Sequence, residues 1–143
     1  MVMNTLFGFI PDTTAAAIWA MVAASFLPLL MAMLAKVFGG FSMADNAHPR
    51  QFLQNATGAA ARAHAAQQNS YETLPVFLVA VTVAMLFFVP QSIINTLAWL
   101  YVLIRVGFCV AYIINLPLFR SVLWVLSMIC CVMLFYLAIR ITA

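Results

Sequence analysis

The sequence predicts an all-α membrane protein, a four-transmembrane-helix up-down bundle built as one domain over residues 1–143. Three observations carry that expectation. Apolar residues make up 67% of the chain and charged ones only 6%, against about 25% charged in an ordinary soluble domain. Six basic and three acidic side chains cannot cover the surface of a water-soluble protein of this size. The apolar residues also fall into four long runs, separated by short connections that carry Gly, Pro or polar residues. Consecutive spans joined by short connections pack up and down by default.

Composition also excludes several function classes. The net charge of +3 comes from scattered basic residues, so no dense basic patch marks a nucleic-acid partner. Cys109, Cys130 and Cys131 all lie in apolar runs and read as buried thiols, not as a disulfide framework or a zinc site. His48 and His64 have no partner at metal-ligand spacing. The N-terminal stretch MVMNTLFGFIPDTT lacks a basic segment and does not read as a cleaved signal peptide.

In chain order, residues 1–12 form a short exposed lead, and Pro11-Asp12-Thr13-Thr14 reads as a helix start capped by Asp or Thr. From Thr13 to Ala35 no residue is charged, a run longer than the about 20 residues a spanning helix needs. Pro28 falls inside it as an expected kink. Lys36 ends the apolar run, and Gly39-Gly40 ends the helix. Residues 39–51, GGFSMADNAHPRQ, read as a polar loop. A second helix is expected from about Phe52 to Val89, polar or small over residues 54–72 and apolar over 74–89. At about 1.5 Å per residue it would reach about 57 Å, so its first part would project beyond the ~30 Å hydrocarbon core. Pro75 is tolerated in it as a kink. After the turn Pro90-Gln91-Ser92, a third helix is expected from about Ser92 to Leu116, where Pro117 breaks it. The fourth runs from about Leu118 to Ile139, between Arg120 and Arg140.

Basic residues set an expected orientation. Lys36, Arg50 and Arg62 surround the first connection and Arg120 the third, while the second carries no charge. The positive-inside rule then places the first and third connections in the cytoplasm and both termini outside. The alanine-rich run Gly58–Ala66 allows close backbone approach. It makes the second helix central, either within the bundle or at an oligomer axis.

Few polar groups enter the apolar helices, and their spacing groups them. On the second helix Asn69 lies about 20° and Glu72 about 80° from Arg62 around the axis. On the third, Arg105, Phe108 and Tyr112 share one stripe. Counted inward from the uncharged turn, Asn69 and Tyr112 both lie at about 30 Å, Glu72 at about 26 Å and Arg105 at about 20 Å. Two antiparallel helices therefore bring these groups to one end of the bundle, and Arg120 opens the fourth helix near the same surface. An Arg105–Glu72 pair could serve only to stabilise the bundle, since an unpaired arginine in an apolar helix costs about 2.5–3.5 kcal/mol on insertion scales. Arg62 reads equally as a solvated residue, Tyr112 as an interfacial aromatic and Arg120 as a positive-inside anchor. The convergence of Arg, Asn, Tyr and one carboxylate also suits a small zwitterion, its carboxylates held by arginines and its ammonium by Glu72.

The order Arg62-x6-Asn69-x2-Glu72-x2-Pro75 with Phe77, then Arg105-x2-Phe108-x3-Tyr112, then Pro117-x2-Arg120-Ser121-x2-Trp124 resembles the MAPEG family. These are the membrane-associated proteins in eicosanoid and glutathione metabolism. The loop Asp45-Asn46…Pro49-Arg50 is similar to the bacterial branch, and the resemblance covers roughly residues 43–125. It implies a homotrimer of four-helix subunits, associating through the second helix, with glutathione as co-substrate between neighbouring subunits. Arg62, Asn69 and Glu72 from the second helix, with Arg105 and Tyr112 from the third, would contact the tripeptide. Arg120 would be the catalytic residue that stabilises the glutathione thiolate, with Ser121 beside it. Two positions depart from the pattern: Ala65 stands where many eukaryotic members carry a second arginine, and Phe108 where several have Tyr or His.

The expected function is thus a glutathione-dependent transferase or peroxidase of the bacterial inner membrane, acting on lipophilic small molecules from the lipid bilayer. A non-enzymatic lipid-binding or scaffold member of the same family is the alternative, motivated by Ala65 and Phe108. A small multidrug transporter ranks third, because Glu72 lies nearer the interface than the midplane where a proton carrier would sit.

Overall fold

A computed structural model describes Gly8 and residues 10–143. Most of the expected N-terminal lead, residues 1–7 and 9, lies outside the described residues. The elements are α1 (Thr14–Gly39), a 3₁₀ turn (Met43–Ala47), α2 (Pro49–Gln54), α3 (Gly58–Leu86), α4 (Gln91–Ile113) and α5 (Pro117–Thr142). Of these, α1, α3, α4 and α5 are long and apolar enough to cross a membrane. The all-α four-helix bundle is therefore as the sequence predicts.

Local chemistry sets the helix ends. Thr13 is extended and precedes the first turn of α1. At the other end Gly40 turns left-handed at φ 69°, its N–H reaching Val37 O while the Phe41 N–H reaches Lys36 O. This is the six-to-one and five-to-two pairing that closes helices through glycine. The same closure recurs with Asn115 (φ 61°) after α4, where the Leu116 N–H bonds Ala111 O at 2.9 Å. That turn ends the helix at Ile113, before the expected Leu116. Pro117 then sits at the start of α5, where its missing N–H is harmless. Phe88 makes the third such turn at φ 57°.

The largest departure is at the start of the second span. The expected continuous helix from Phe52 is broken into α2 and α3. Thr57 is extended, at φ −126° and ψ 168°, and Gly58 takes φ 59°, so the chain turns through residues 55–58 before α3 begins. The polar loop expected over 39–51 is likewise partly ordered as the 3₁₀ turn and α2. Ser42 and Asp45 close that turn reciprocally, with the Ser42 N–H at 2.8 Å and the Ser42 hydroxyl at 2.7 Å from Asp45 Oδ2. The α3 helix has 29 residues, about 43 Å at 1.5 Å per residue, shorter than expected because α2 folds aside.

Packing makes α3 and α4 the centre. The α3 helix touches all three other spans, α1 packs chiefly on α3, α5 chiefly on α4, and α1 and α5 do not meet among the described residues. Ala60, Ala63, Ala66, Ala80 and Ala84 of α3 are buried inside the subunit, as are Ala17, Ala20, Ala24 and Ala35 of α1. Small side chains on both helices let the backbones approach where dispersion and packing hold membrane helices together. The alanine face thus serves the bundle itself. The opposite α3 face, with Tyr71, Glu72, Val76 and Val79, is exposed.

Two apolar clusters fill the core, one around Phe77, Tyr101 and Leu134, the other around Met31, Ala63, Ala66 and Phe108. Between them, in sequence on α3 and α4, lies a polar layer of Ser70, Thr73 and Arg105. A second polar cluster ties the start of α1 to α4. The Asn95 amide donates to Pro11 O (2.9 Å) and Thr13 O (3.1 Å), Gln91 donates to Asn95 Oδ1 (2.8 Å), and the Trp99 indole donates to Ala16 O (3.0 Å).

Candidate functional site

The polar layer opens at one end of the bundle into a cavity of 320 Å³ lined by Asn69, Phe108, Tyr112, Arg120, Ser121, Trp124 and Val125. Three helices supply it: α3 gives Asn69, the last turns of α4 give Phe108 and Tyr112, and the first turns of α5 give the rest. The short α4–α5 turn through Asn115 brings Tyr112 and Arg120 together. The Arg120 guanidinium lies 4.0 Å from the centre of the Tyr112 ring, close enough for a cation–π attraction. Tyr112 meets Phe108 edge-on at 5.4 Å, and the Arg105 guanidinium lies 4.1 Å from the Phe108 ring. Cation, aromatic, aromatic and cation therefore follow one another from the core to the cavity.

Arg105 sits behind Phe108 and is only 1% exposed. Its guanidinium donates to Asn69 Oδ1 and to Ser70 Oγ, both at 3.0 Å. The direct Arg105–Glu72 pair weighed from the sequence does not form. The Asn69 amide stands between them, its Nδ2 3.5 Å from Glu72 Oε2. Below this layer the Tyr101 hydroxyl donates to Thr73 Oγ1 at 3.3 Å, and Thr73 in turn donates to Asn69 O at 3.1 Å. Every buried side-chain nitrogen and oxygen among the described residues has a partner, as a polar layer in an apolar bundle requires.

The sequence-predicted residues thus divide. Asn69, Tyr112 and Arg120 meet at the cavity, with Ser121 beside them. Arg105 supports it from behind, and Glu72 is exposed next to Asn69 without lining the cavity. Arg62 is directed elsewhere: its Nε donates to Ile113 O at 2.9 Å, satisfying a free carbonyl at the end of α4. Helical spacing put Arg62 and Asn69 on one face but could not register the end of α4 opposite Arg62. Ser70 was missed as an Arg105 partner, and its only signal is a small hydroxyl beside Asn69 on a helix that must satisfy a buried cation. Val125 carried no signal. Trp124, to which the sequence assigns no role, forms part of the wall.

The cavity offers mainly hydrogen-bond donors and one full positive charge. The Ser121 hydroxyl donates to Pro117 O at 3.0 Å, which leaves its oxygen as an acceptor. No carboxylate lines the cavity. Such a site suits an anionic or acceptor-rich ligand, and its exposed outer rim of Trp124 and Val125 faces away from the subunit core. No group of three or more His, Cys, Asp or Glu among the described residues could hold a metal ion.

Comparison with known proteins adds one finding. A family model described as the MAPEG family matches residues 13–140. Searches of curated proteins and of solved structures returned no match.

Proposed function

The chain belongs to the MAPEG family, and from that premise we propose that it is a glutathione-dependent transferase or peroxidase working on lipophilic electrophiles that arrive through the bilayer. The observation that carries this reading is the cavity that gathers Asn69, Tyr112, Arg120 and Ser121 at one end of the bundle. Its donors match the carboxylates, carbonyls and thiolate of the tripeptide. Arg120 is the proposed catalytic residue. A guanidinium beside the thiol favours the thiolate, the nucleophilic form, and stacking on Tyr112 fixes where that charge lies. Tyr112 and Asn69 are the proposed ligand contacts. Arg105 and Glu72 act around Asn69, and Arg62 holds the end of α4. At 320 Å³ the cavity is near the lower end of small-molecule pockets, about 300–1,000 Å³, so a wall from a second copy completes it.

A homotrimer supplies that wall in this reading. Glu72 is exposed on the apolar outer face of α3 beside Val76 and Val79, and an ionised side chain facing lipid is unfavourable. Covering that face with another copy removes the cost. The proposed setting is a bacterial inner membrane, with the cavity at the cytoplasmic end and both termini outside.

The test is glutathione transfer to an aryl halide by the purified protein. The thiolate sulfur attacks the carbon bearing the halogen, the C–S bond forms, the halide leaves and the thiol proton goes to solvent. Saturable turnover that falls about 100-fold in Arg120→Ala is expected, in the range for removing one charge-stabilising donor. No turnover together with no glutathione heat in calorimetry overturns the reading. For the assembly, Val76→Cys is expected to cross-link between copies with a bismaleimide, while the wild-type protein, whose three cysteines are buried, stays monomeric on a denaturing gel.

A further inference from the structure

We infer that Arg105 is a positioning residue, which fixes the Asn69 side chain so that it presents an N–H donor, never its carbonyl oxygen, to the cavity. Asn69 is set between two opposite charges. The Arg105 Nη1 lies 3.0 Å from Asn69 Oδ1 and the Glu72 carboxylate 3.5 Å from Asn69 Nδ2. Turning the amide over would set its NH₂ against the guanidinium and its oxygen against the carboxylate, so both contacts would become repulsive. Only one orientation is satisfied.

The frame around Asn69 is itself rigid. The second arm of the guanidinium is held by Ser70 Oγ, whose hydroxyl donates to Ala66 O at 2.8 Å. The face of the guanidinium rests on Phe108, which lines the cavity. With Arg105 buried and Glu72 outside the cavity, neither charge reaches a ligand there directly. Both act through the amide. Asn69 carries two N–H groups, one turned to Glu72 and the other left for the cavity. The group of the ligand that meets Asn69 is therefore an acceptor, a carboxylate or peptide carbonyl, and not an ammonium. This consequence for glutathione rests on the function proposed above, whereas the amide orientation does not.

The amide is read by the side-chain ¹⁵N–¹H₂ spectrum of asparagine-labelled protein in detergent micelles, with the Asn69 pair assigned through Asn69→Ala. The wild-type pair is expected displaced from the shifts of a free amide, because its oxygen accepts from a guanidinium. Arg105→Lys, which keeps one donor, retains that pattern; Arg105→Met, of similar length without a donor, loses it. An Asn69 pair unchanged in Arg105→Met overturns the inference. In glutathione kinetics, Arg105→Met raises KM at least tenfold with kcat within threefold, and Arg105→Lys stays within threefold on both. Equal impairment by Lys and Met points to a packing role only and overturns it. Asn69→Asp keeps Arg105 but replaces the donor by an acceptor, so its KM also rises at least tenfold; wild-type KM in that variant counts against the inference even where Arg105→Met fails to insert. Wild-type protein that binds no glutathione while its Asn69 spectrum still follows Arg105 refutes the proposed function and supports the positioning.

Discussion

Asn95→Ala is expected to release the start of α1 from the bundle. Asn95 is 1% exposed and its amide donates to both Pro11 O and Thr13 O. Gln91, half-buried, can turn to water when its acceptor is lost, so two bonds set the effect. At about 0.6 kcal/mol per bond between membrane helices and about 1 kcal/mol in water, the loss is about 1–2 kcal/mol. Hydrogen exchange by mass spectrometry over residues 14–20 reads it as opening about 5–30-fold more frequent. Asn95→Asp separates donation from packing, because a carboxylate cannot donate and would face two carbonyl oxygens. It is expected to be worse than alanine at neutral pH. The protonated carboxyl can donate once, so the defect shrinks as pH falls. Wild-type exchange in Asn95→Asp, or no change in either variant, refutes the assignment.

Three other outcomes follow from the same geometry. Phe88 holds φ 57° while 87% exposed, a conformation that costs an L-residue about 1–2 kcal/mol and glycine almost nothing; Phe88→Gly should raise the unfolding midpoint in detergent by about that free energy. The Ser42 hydroxyl and N–H hold the Asp45 carboxyl below the ordinary value of 3.8. The contribution is therefore present above that value and lost as pH falls through the lower folded pKa. Protease cleavage within residues 42–48 should rise below about pH 4, as protons take the lone pairs Ser42 uses, and Asp45→Asn should remove most of that pH dependence. Arg62→Met removes the charged donor to Ile113 O, worth about 1.5–3 kcal/mol for a hydrogen bond to a charged group. Faster exchange at the end of α4 and a higher KM for glutathione, with α1 exchange unchanged, are the expected signs.

The fold was legible because a bilayer leaves few choices. Apolar runs long enough to span must satisfy their backbone internally, and Gly40, Pro117 and the prolines of the short turns punctuate them. The break at residues 55–58 was harder to see. Asn55-Ala56-Thr57-Gly58 carries turn residues, but the alanines that follow have high helix propensity, and a continuous helix absorbs one glycine at a cost of about 1 kcal/mol. Thr57 in an extended conformation and Gly58 at positive φ decide for the turn, because it lets Leu53 of α2 bury against the bundle. That choice is made by tertiary packing. Asn95 was passed over for a related reason: its partners are backbone carbonyls more than eighty positions away, and backbone partners leave no trace in residue identity.

At the site, helical periodicity found the level but not the connectivity. Counting turns from the uncharged end placed Asn69 and Tyr112 at one depth, and both line the cavity. It also put the opposite charges of Arg105 and Glu72 close enough to pair, and charge alone argues for contact. Hydrogen-bond geometry argues otherwise. A buried guanidinium needs several acceptors, and one carboxylate on an exposed helix face cannot supply them all. Asn69 and Ser70, adjacent in sequence, reach both arms of the guanidinium at once, and Phe108 covers its face. Phe108, which the sequence resemblance marks as the loss of a ligand contact, is therefore the wall that separates a buried cation from the cavity. The Phe108 wall and the Arg105–Asn69 bond form one arrangement, in which the cation orders the site without entering it.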